Sequence, residues 1–153
     1  MDELEHKLAV LARLARVLNG GGVVWALGGS ALLYLRGRTD GFHDLDLMVL
    51  EADAERAGEL LAPLGAAGAA RPAGQYRSRF FLELTVEGVE VDVIAGFAIV
   101  KDGAEYDCSL TPEAIAGTVP VLGEPVPLQS LSDWKRYYQL MGRTARAAQL
   151  ADC

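Results

Sequence analysis

The stretch from Trp25 to Val49 constrains the fold of this 153-residue chain more than any other. It predicts an apolar strand, a glycine turn, a helix, a polar loop and a second apolar strand. Gly28 and Gly29 allow the backbone to turn sharply and to approach a ligand closely, because neither residue has a Cβ atom. Ser30 then begins the helix. Its hydroxyl group and the free N–H groups of the first helical turn predict an anion-binding site.

Two aspartates, Asp44 and Asp46, lie two residues apart in the second apolar strand. Side chains alternate along a strand, so both carboxylates are predicted to project from one face while Leu45 and Leu47 point into the core. Mg²⁺ prefers oxygen ligands, and proteins commonly hold it with a few carboxylates together with the phosphates of a substrate. Two carboxylates beside an anion-binding turn therefore predict a divalent cation clamped to a phosphate group.

This combination of motifs resembles the nucleotidyltransferase superfamily, which is built on a polymerase-beta-like palm. It is most similar to the small, stand-alone bacterial members of the minimal and abortive-infection types. The resemblance covers about residues 23–95 and extends only loosely over the rest of the chain. It implies that the Gly28-Gly29-Ser30 turn holds the triphosphate of an NTP and that Asp44 and Asp46 bind metal. It also implies a third carboxylate on a neighbouring strand.

A hairpin further along the chain supplies the candidate for that third carboxylate. Tyr76–Val86 and Val89–Ala95 both alternate in polarity, and Glu87-Gly88 between them predicts the turn. The valines of the second strand form its apolar face, so Glu90 and Asp92 share the other face. Asp92 is the predicted third metal ligand, because the family places this carboxylate within an apolar run. Glu90 is the alternative, one pleat away on the same face.

The remaining segments predict further elements around this palm. They are an amphipathic helix over Asp2–Leu18, a surface helix over Glu51–Ala62 that ends at Pro63, a loop over Gly65–Gln75, a hairpin over Ile99–Tyr106, an edge strand or loop over Thr118–Leu128, and a last helix that begins at Ser130. The fold class is therefore α+β: a mixed, largely antiparallel nucleotidyltransferase-like sheet flanked by helices. We expect a single domain over residues 1–153, with a catalytic palm at about 20–100 and a C-terminal helical segment at about 130–150.

Several basic residues near these motifs have two interpretations each. Arg36 and Arg38 either contact a triphosphate or pyrophosphate or form a solvated helix end, and the second situation is the more common. Lys135 in the last helix either reaches a phosphate or is a solvated helix lysine. His43 directly precedes Asp44, which favours a structural or supporting role over catalysis.

Composition and charge limit the partners and the cellular compartment that we expect for this protein. The net charge of −7 at pH 7 argues against an extended nucleic-acid surface, and it suits a small acceptor or a protein partner better. Cys108 and Cys153 lie far apart and predict free thiols. The acidic N-terminus lacks a signal-peptide pattern, and no apolar run is long enough to span a bilayer, so we expect a cytoplasmic protein. A hydrophobic content of 51% leaves room for a homodimer.

The resemblance implies metal-dependent transfer of an NMP from an NTP to a hydroxyl group on a small molecule, a protein or RNA. In such a site Asp44 and Asp46 bridge two Mg²⁺ ions, while Asp92 binds the second ion and takes the acceptor proton. Two other functions stay open: a non-catalytic interaction protein with this fold, such as a toxin–antitoxin component, and a nucleotide-binding regulator. The three carboxylates favour the enzyme. The lack of a large second domain favours an interaction protein, or a site completed by a partner.

Overall fold

The structure is a computed structural model that describes residues 2–153; Met1, which the predicted domain includes, lies outside the described residues. The α-helices of this range, numbered in chain order, are α1 (Glu3–Gly20), α2 (Gly29–Leu35), α3 (Ala54–Leu61), α4 (Leu131–Met141) and α5 (Thr144–Ala148). The strands are β1 (Trp25–Gly28), β2 (Leu45–Val49), β3 (Ala66–Ala67), β4 (Tyr76–Arg77), β5 (Phe80–Val86), β6 (Val89–Ala95), β7 (Ala98–Lys101), β8 (Ala104–Asp107), β9 (Ile115–Val121) and β10 (Glu124–Gln129). None of these helices is long and apolar enough to cross a membrane.

The strands of residues 2–153 form a large mixed sheet and a small antiparallel one. The large sheet has seven strands in the order β3-β5-β6-β2-β1-β10-β9, and the small sheet has the order β4-β7-β8. In the large sheet β2 pairs with β6 and β1 pairs with β10 in parallel, and the other pairings are antiparallel. The predicted α+β fold with a mixed, largely antiparallel sheet is confirmed.

Helix α1 forms where its leucine spacing predicts it. The Asp2 side chain caps the helix by accepting a hydrogen bond from the Glu5 N–H at 2.8 Å, and Gly21 ends it. Leu11, Leu14 and Leu18 are fully buried and pack into the core of the protein. The helix packs against the large sheet, and none of its side chains lines the cavity of the candidate site.

The segment predicted as one strand over Tyr76–Val86 is divided between the two sheets, and this prediction is wrong. The chain leaves β4 of the small sheet, crosses at Ser78 and Arg79, and enters β5 of the large sheet. Both crossing residues bond to Ala95 at the end of β6: the Ser78 hydroxyl donates to its carbonyl at 2.9 Å and the Arg79 N–H at 3.1 Å. Polarity does not alternate across the crossing: residues 77–79 are all polar and residues 80–82 are all apolar, so the alternation that predicted one strand holds only from Leu82 to Val86.

The structure of the proline-containing segment Thr118–Leu128 also differs from the prediction, which was one edge strand or a loop. It forms most of two strands, β9 and β10, joined by a turn in which Leu122 and Gly123 both have positive φ. Only β9 lies at the edge; β10 lies inside the sheet between β9 and β1. Strand β10 pairs with β1 at Leu128, which follows both prolines of β10. The N–H groups that proline lacks are therefore not needed for this pairing.

The predicted surface helix over Glu51–Ala62 is shorter and has two 3₁₀ turns at its ends. Glu51–Asp53 forms the first turn, α3 follows, and Ala62–Leu64 forms the second turn. Pro63 therefore lies inside a 3₁₀ turn, one residue beyond the position where the α-helical hydrogen bonds have ended.

Candidate active site

Three neighbouring strands bring the predicted motifs into one row. Gly28 at the end of β1 lies in register with Asp46 of β2, and Asp46 lies in register with Asp92 of β6. Adjacent strands are about 4.8 Å apart, so residues in register on the same face are direct neighbours. Asp44 comes one residue before β2 and lies on the same face as Asp46. The local sequence pattern places each carboxylate on its face, and the parallel pairing of β2 with β6 brings the strands together.

The structure groups the carboxylates of Asp44, Asp46 and Asp92. One oxygen atom from each lies within 4.8 Å of the others, and all three side chains are half-buried. Glu90, the alternative third ligand, lies one pleat earlier on β6, is exposed and is not part of this group. Among residues 2–153 this is the one cluster of three or more histidine, cysteine or acidic side chains with metal-ligand spacing.

Burial and mutual repulsion raise the proton affinity of two of these carboxylates. Withdrawal from water raises the pKa of Asp46 to about 8, and the charges of Asp44 and Asp92 add to that effect. Burial and the charge of Asp44 raise the pKa of Asp92 to about 6. A cluster of this kind is unfavourable when it is fully ionised without a counter-ion, and three hard oxygen donors suit a divalent cation such as Mg²⁺.

The glycine turn lies directly against the carboxylates. Gly29 has φ of +61°, and a Cβ atom at this position would overlap a carboxylate oxygen of Asp46. A Cβ atom at Gly28 would overlap the indole ring of Trp134 on α4. Helix α2 begins at Gly29, one residue earlier than predicted, with Gly28 as its N-cap. Ser30 lies in its first turn and faces the same cavity as the carboxylates.

A cavity of about 600 Å³ contains these groups. The three carboxylates and Ser30 lie on one part of its wall, and Trp134 and Tyr138 of α4 contribute another part. Apolar side chains from β5, β6 and the loop after β6 complete much of the rest; they are Phe81, Ile94 and Phe97. The volume is within the usual range for a small-molecule site, which is about 300–1,000 Å³.

The basic residues of the cavity differ from those that the sequence suggested. Arg71, Arg143 and Arg146 line it, whereas Arg36, Arg38 and Lys135 do not. In the sequence, Arg143 directly follows Gly142, a residue type that commonly ends a helix, and Gly142 does end α4. The position of a helix end does not reveal which surface the next side chain contacts.

Arg36, Arg38 and Lys135 each have a partner elsewhere in the protein. Arg38 forms an ion pair with Asp152 at 2.6 Å, and Arg36 donates to the carbonyl of Ala116 at 3.3 Å. Lys135 donates to the carbonyls of Ala151 and Cys153 near the C-terminus. Their positions match the structural interpretations of these residues and give no support to a phosphate contact.

His43 and the two cysteines have simple environments. His43 is exposed at the cavity rim, next to Asp44, and its role as a supporting residue stays a prediction. Cys108 is buried and Cys153 is exposed, and both are free thiols, as predicted.

Three solved structures are similar to this chain over most of its length. A candidate nucleotidyltransferase from Thermotoga maritima has a TM-score of 0.76 and 23% identity, and the match covers 99% of this chain and 94% of that one. ANT(2'')-Ia, solved with adenylyl-2''-tobramycin, has a TM-score of 0.64 and 12% identity, with coverage of 96% and 88%. The lincosamide antibiotic adenylyltransferase LnuA, solved with lincomycin, has a TM-score of 0.58 and 14% identity, with coverage of 99% and 97%.

This chain has the nucleotidyltransferase fold. No protein-family model matches its sequence, and no curated protein does. At identities of 12–23% the likeness establishes the fold, and the chemistry depends on the residues of this chain.

The carboxylates at the centre of this nucleotidyltransferase fold predict a pH-dependent stability. Because the folded protein raises the pKa of Asp46 to about 8 from an ordinary value of 3.8, it binds that proton more tightly than the unfolded chain does. The resulting stabilisation is present at low pH and is lost as the pH rises through the folded pKa. We expect the melting temperature of the metal-free protein to fall progressively from about pH 4 to about pH 8, between the unfolded and the folded pKa of Asp46.

Asp46→Asn provides the control for this titration. Asparagine has nearly the same shape and cannot ionise, so the variant should melt with a clearly smaller dependence on pH over the same range. Thermal melting in a chelating buffer, read by circular dichroism, measures both proteins. Equal pH dependence in the two proteins would contradict the assignment of the titration to Asp46.

Proposed function

We propose that this chain is a metal-dependent nucleotidyltransferase that moves an NMP from an NTP to a hydroxyl group of an acceptor. The observation that supports this most directly is the geometry of the cavity. Oxygen atoms of three carboxylates on or next to adjacent strands lie within 4.8 Å of one another, and the Gly28-Gly29-Ser30 turn lies beside them, with Ser30 lining the same cavity. A triphosphate with its metal ions needs both features, and neither is required by the packing of the core.

The chain's residues would divide the binding of the donor nucleotide. Asp44, Asp46 and Asp92 would hold two Mg²⁺ ions, which when bound neutralise phosphate charge and lower the pKa of an acceptor hydroxyl. Gly29 has no side chain, so the backbone can lie against both the carboxylates and the phosphates. The Ser30 hydroxyl would donate a hydrogen bond to the terminal phosphates.

The transfer itself breaks a phosphoanhydride bond of the NTP and forms a phosphate ester with the acceptor. The acceptor oxygen forms a bond to the α-phosphorus of the NTP, and the bond from that phosphorus to the bridging oxygen breaks, so pyrophosphate leaves. Asp92 would take the acceptor proton at a carboxylate oxygen. In the metal-free protein its pKa is about 6, so the carboxylate is ionised at neutral pH, as a proton acceptor must be.

The comparisons support ATP as the first donor and a small hydroxyl compound as the first acceptor to test. Of the similar structures, ANT(2'')-Ia was solved with adenylyl-2''-tobramycin, and LnuA is a lincosamide antibiotic adenylyltransferase solved with lincomycin. A cavity of about 600 Å³ suits molecules of modest size better than a protein surface or a long RNA. The acidic net charge of the chain also disfavours a long RNA as the acceptor.

Thermal melting with each of the four NTPs, with and without Mg²⁺, tests the proposal. We expect a metal-dependent rise in melting temperature for the wild-type protein with at least one NTP, because ligands that bind only the folded state stabilise it. The variant Asp44→Ala/Asp46→Ala should lose that rise. Glu90→Ala is the matched control, since it removes an exposed carboxylate from the same sheet face and should keep the rise.

The outcomes separate the functions that the sequence left open. Pyrophosphate release with hydroxyl-bearing antibiotics as acceptors, lost in the double variant, would identify the enzyme. Nucleotide binding without turnover across acceptors would favour a regulator. No response to any NTP would contradict the proposal and direct attention to a protein partner, while a response that survives the double variant would mean that nucleotide binds elsewhere.

A further inference from the structure

The cavity wall is cationic where α4 meets α5. Gly142 adopts a left-handed conformation and ends α4, and the N–H of the next residue, Arg143, donates to the carbonyl of Tyr138 at 2.9 Å. This chain reversal places the Arg143 guanidinium over the Tyr138 ring, 5.3 Å from the ring centroid. Within residues 2–153 the Arg143 side chain forms no hydrogen bond and no ion pair, although it lines the cavity. Its charge is therefore available to a ligand.

The hydroxyl group of Tyr138 is also without a protein partner. The residue is only 2% exposed and lines the cavity, yet its hydroxyl makes no hydrogen bond to any residue in the described part of the chain. Every fully buried side-chain nitrogen or oxygen of those residues has a partner, so this hydroxyl is reached from the cavity. Burial and then the charge of Asp46 raise the pKa of Tyr138 to about 12, which keeps the hydroxyl protonated as a donor close to the carboxylates.

We propose that Arg143 and the hydroxyl of Tyr138 bind the polyphosphate of the nucleotide, an inference that rests on the proposed function. A ligand in this cavity meets carboxylates on one part of the wall and a cation with a hydrogen-bond donor on another. A magnesium polyphosphate satisfies both, because its cations suit the carboxylates and its free oxygens accept from Arg143 and Tyr138. An ammonium group would suit the carboxylates but would be repelled by Arg143.

Arg143 has one competing role, as a fixed counter-charge for Asp46. Its positive charge lowers the pKa of that carboxylate, although burial and the other aspartates outweigh it. If this were its whole role, its loss would change the stability of the metal-free protein and leave polyphosphate affinity unchanged. The unpartnered hydroxyl of Tyr138 favours ligand binding, because a counter-charge needs no second donor beside it. Arg146, which also lines the cavity, already donates to Gln149 at 3.2 Å and is not included.

The same helix contains a matched control pair. Arg136 lies over the ring of Tyr137, 5.6 Å from its centroid, and the Tyr137 hydroxyl accepts a hydrogen bond from Gln129 at 3.1 Å. Neither residue lines the cavity. The two pairs have the same side chains at similar ring distances, but the control pair lies outside the cavity and is hydrogen-bonded within the protein, where Arg136 donates to the carbonyl of Asp107 at 3.2 Å.

Titration calorimetry with two ligands tests the inference. The ligands are Mg²⁺ with inorganic tripolyphosphate, which contains phosphate alone, and Mg²⁺ with ATP. The proteins are wild type, Tyr138→Phe, Arg143→Gln, Tyr137→Phe and Arg136→Gln. For both ligands we expect the dissociation constant to rise about tenfold or more in Arg143→Gln and about threefold or more in Tyr138→Phe, on the scale of one charged and one neutral hydrogen bond. The control variants should stay within about twofold of wild type.

Each other result overturns a specific part of the argument. If wild type binds Mg-ATP and all four variants bind it equally well, the inference is wrong and the proposed function stands. If Arg143→Gln and Tyr138→Phe weaken ATP but not tripolyphosphate, the pair contacts the nucleoside, not the phosphates. If wild type binds neither ligand, the proposed function fails together with the inference. Melting of each metal-free variant shows that it is folded, and Tyr138→Phe keeps the ring on which Arg143 lies.

Discussion

Asp92→Asn should abolish nucleotidyl transfer while the protein still folds and still binds Mg-ATP. The amide keeps the shape of the carboxylate but cannot accept the acceptor proton, and it is a poor ligand for the second metal ion. We expect kcat to fall by at least about 100-fold, the scale of losing one preorganised electrostatic contact in an active site. Pyrophosphate release measures kcat, and the melting shift with Mg-ATP measures retained binding, which depends chiefly on Asp44 and Asp46.

Two further measurements keep this result interpretable. The pKa of Asp92 is raised by burial and by the charge of Asp44, so the neutral amide should leave the melting temperature of the metal-free protein unchanged or higher. Glu90→Gln removes the other acidic side chain of this β6 face and should keep activity within about twofold, as expected of an exposed position outside the cluster. Loss of activity in Glu90→Gln and not in Asp92→Asn would mean that Glu90 supplies the third carboxylate.

Gly29→Ala should produce the second large loss, through displacement of Asp46. The new methyl group would overlap a carboxylate oxygen of Asp46, so either that side chain or the turn must shift. The φ of +61° adds backbone strain, which costs about 1–2 kcal/mol for a residue with a Cβ atom. We expect transfer activity to fall by about 100-fold, since a shift of about 1 Å in a reacting group can have that effect. The Mg-ATP melting shift should fall with it.

Gly37→Ala separates strain from displacement. Gly37 follows α2, also has a positive φ, of +74°, and has no atom within 4 Å of where its Cβ would lie. This variant therefore acquires similar backbone strain without any contact with the carboxylates. We expect its free energy of unfolding to fall by about as much as backbone strain alone lowers it in Gly29→Ala. We expect its transfer activity to be retained. If both variants lost activity equally, the close approach of Gly29 to Asp46 would not be what the site requires.

Local geometry allowed much of the site to be predicted from sequence. The two-residue spacing of Asp44 and Asp46 placed them on one strand face, and the same alternation placed Asp92 opposite the valines of β6. Ser130 was predicted to begin the last helix, and its hydroxyl accepts from the Asp133 N–H at 3.1 Å. These features depend on residues within a few positions of one another, so a pattern in the chain is sufficient to identify them.

Other features depended on pairings between distant segments. The register of Asp46 with Asp92 joins residues 46 positions apart, and a shift by one residue would have turned Asp92 away from the cluster. The interior position of β10 contradicted its proline content, and the crossing at Ser78 and Arg79 depends on hydrogen bonds to Ala95, which is remote in the chain. Strand order and register are decided by which faces become buried together, which local propensity does not specify.

The sequence by itself determined which residues make up the candidate site: the two glycines, the serine and the three carboxylates, each on a predictable face of its own element. Only the tertiary structure decided what surrounds that site. It placed Arg143 and Tyr138 in the cavity and directed Arg38 and Lys135 to partners elsewhere. The reason is physical: a side chain's face is set by its own backbone, whereas its neighbours are set by the packing of helices and strands that are remote in the chain.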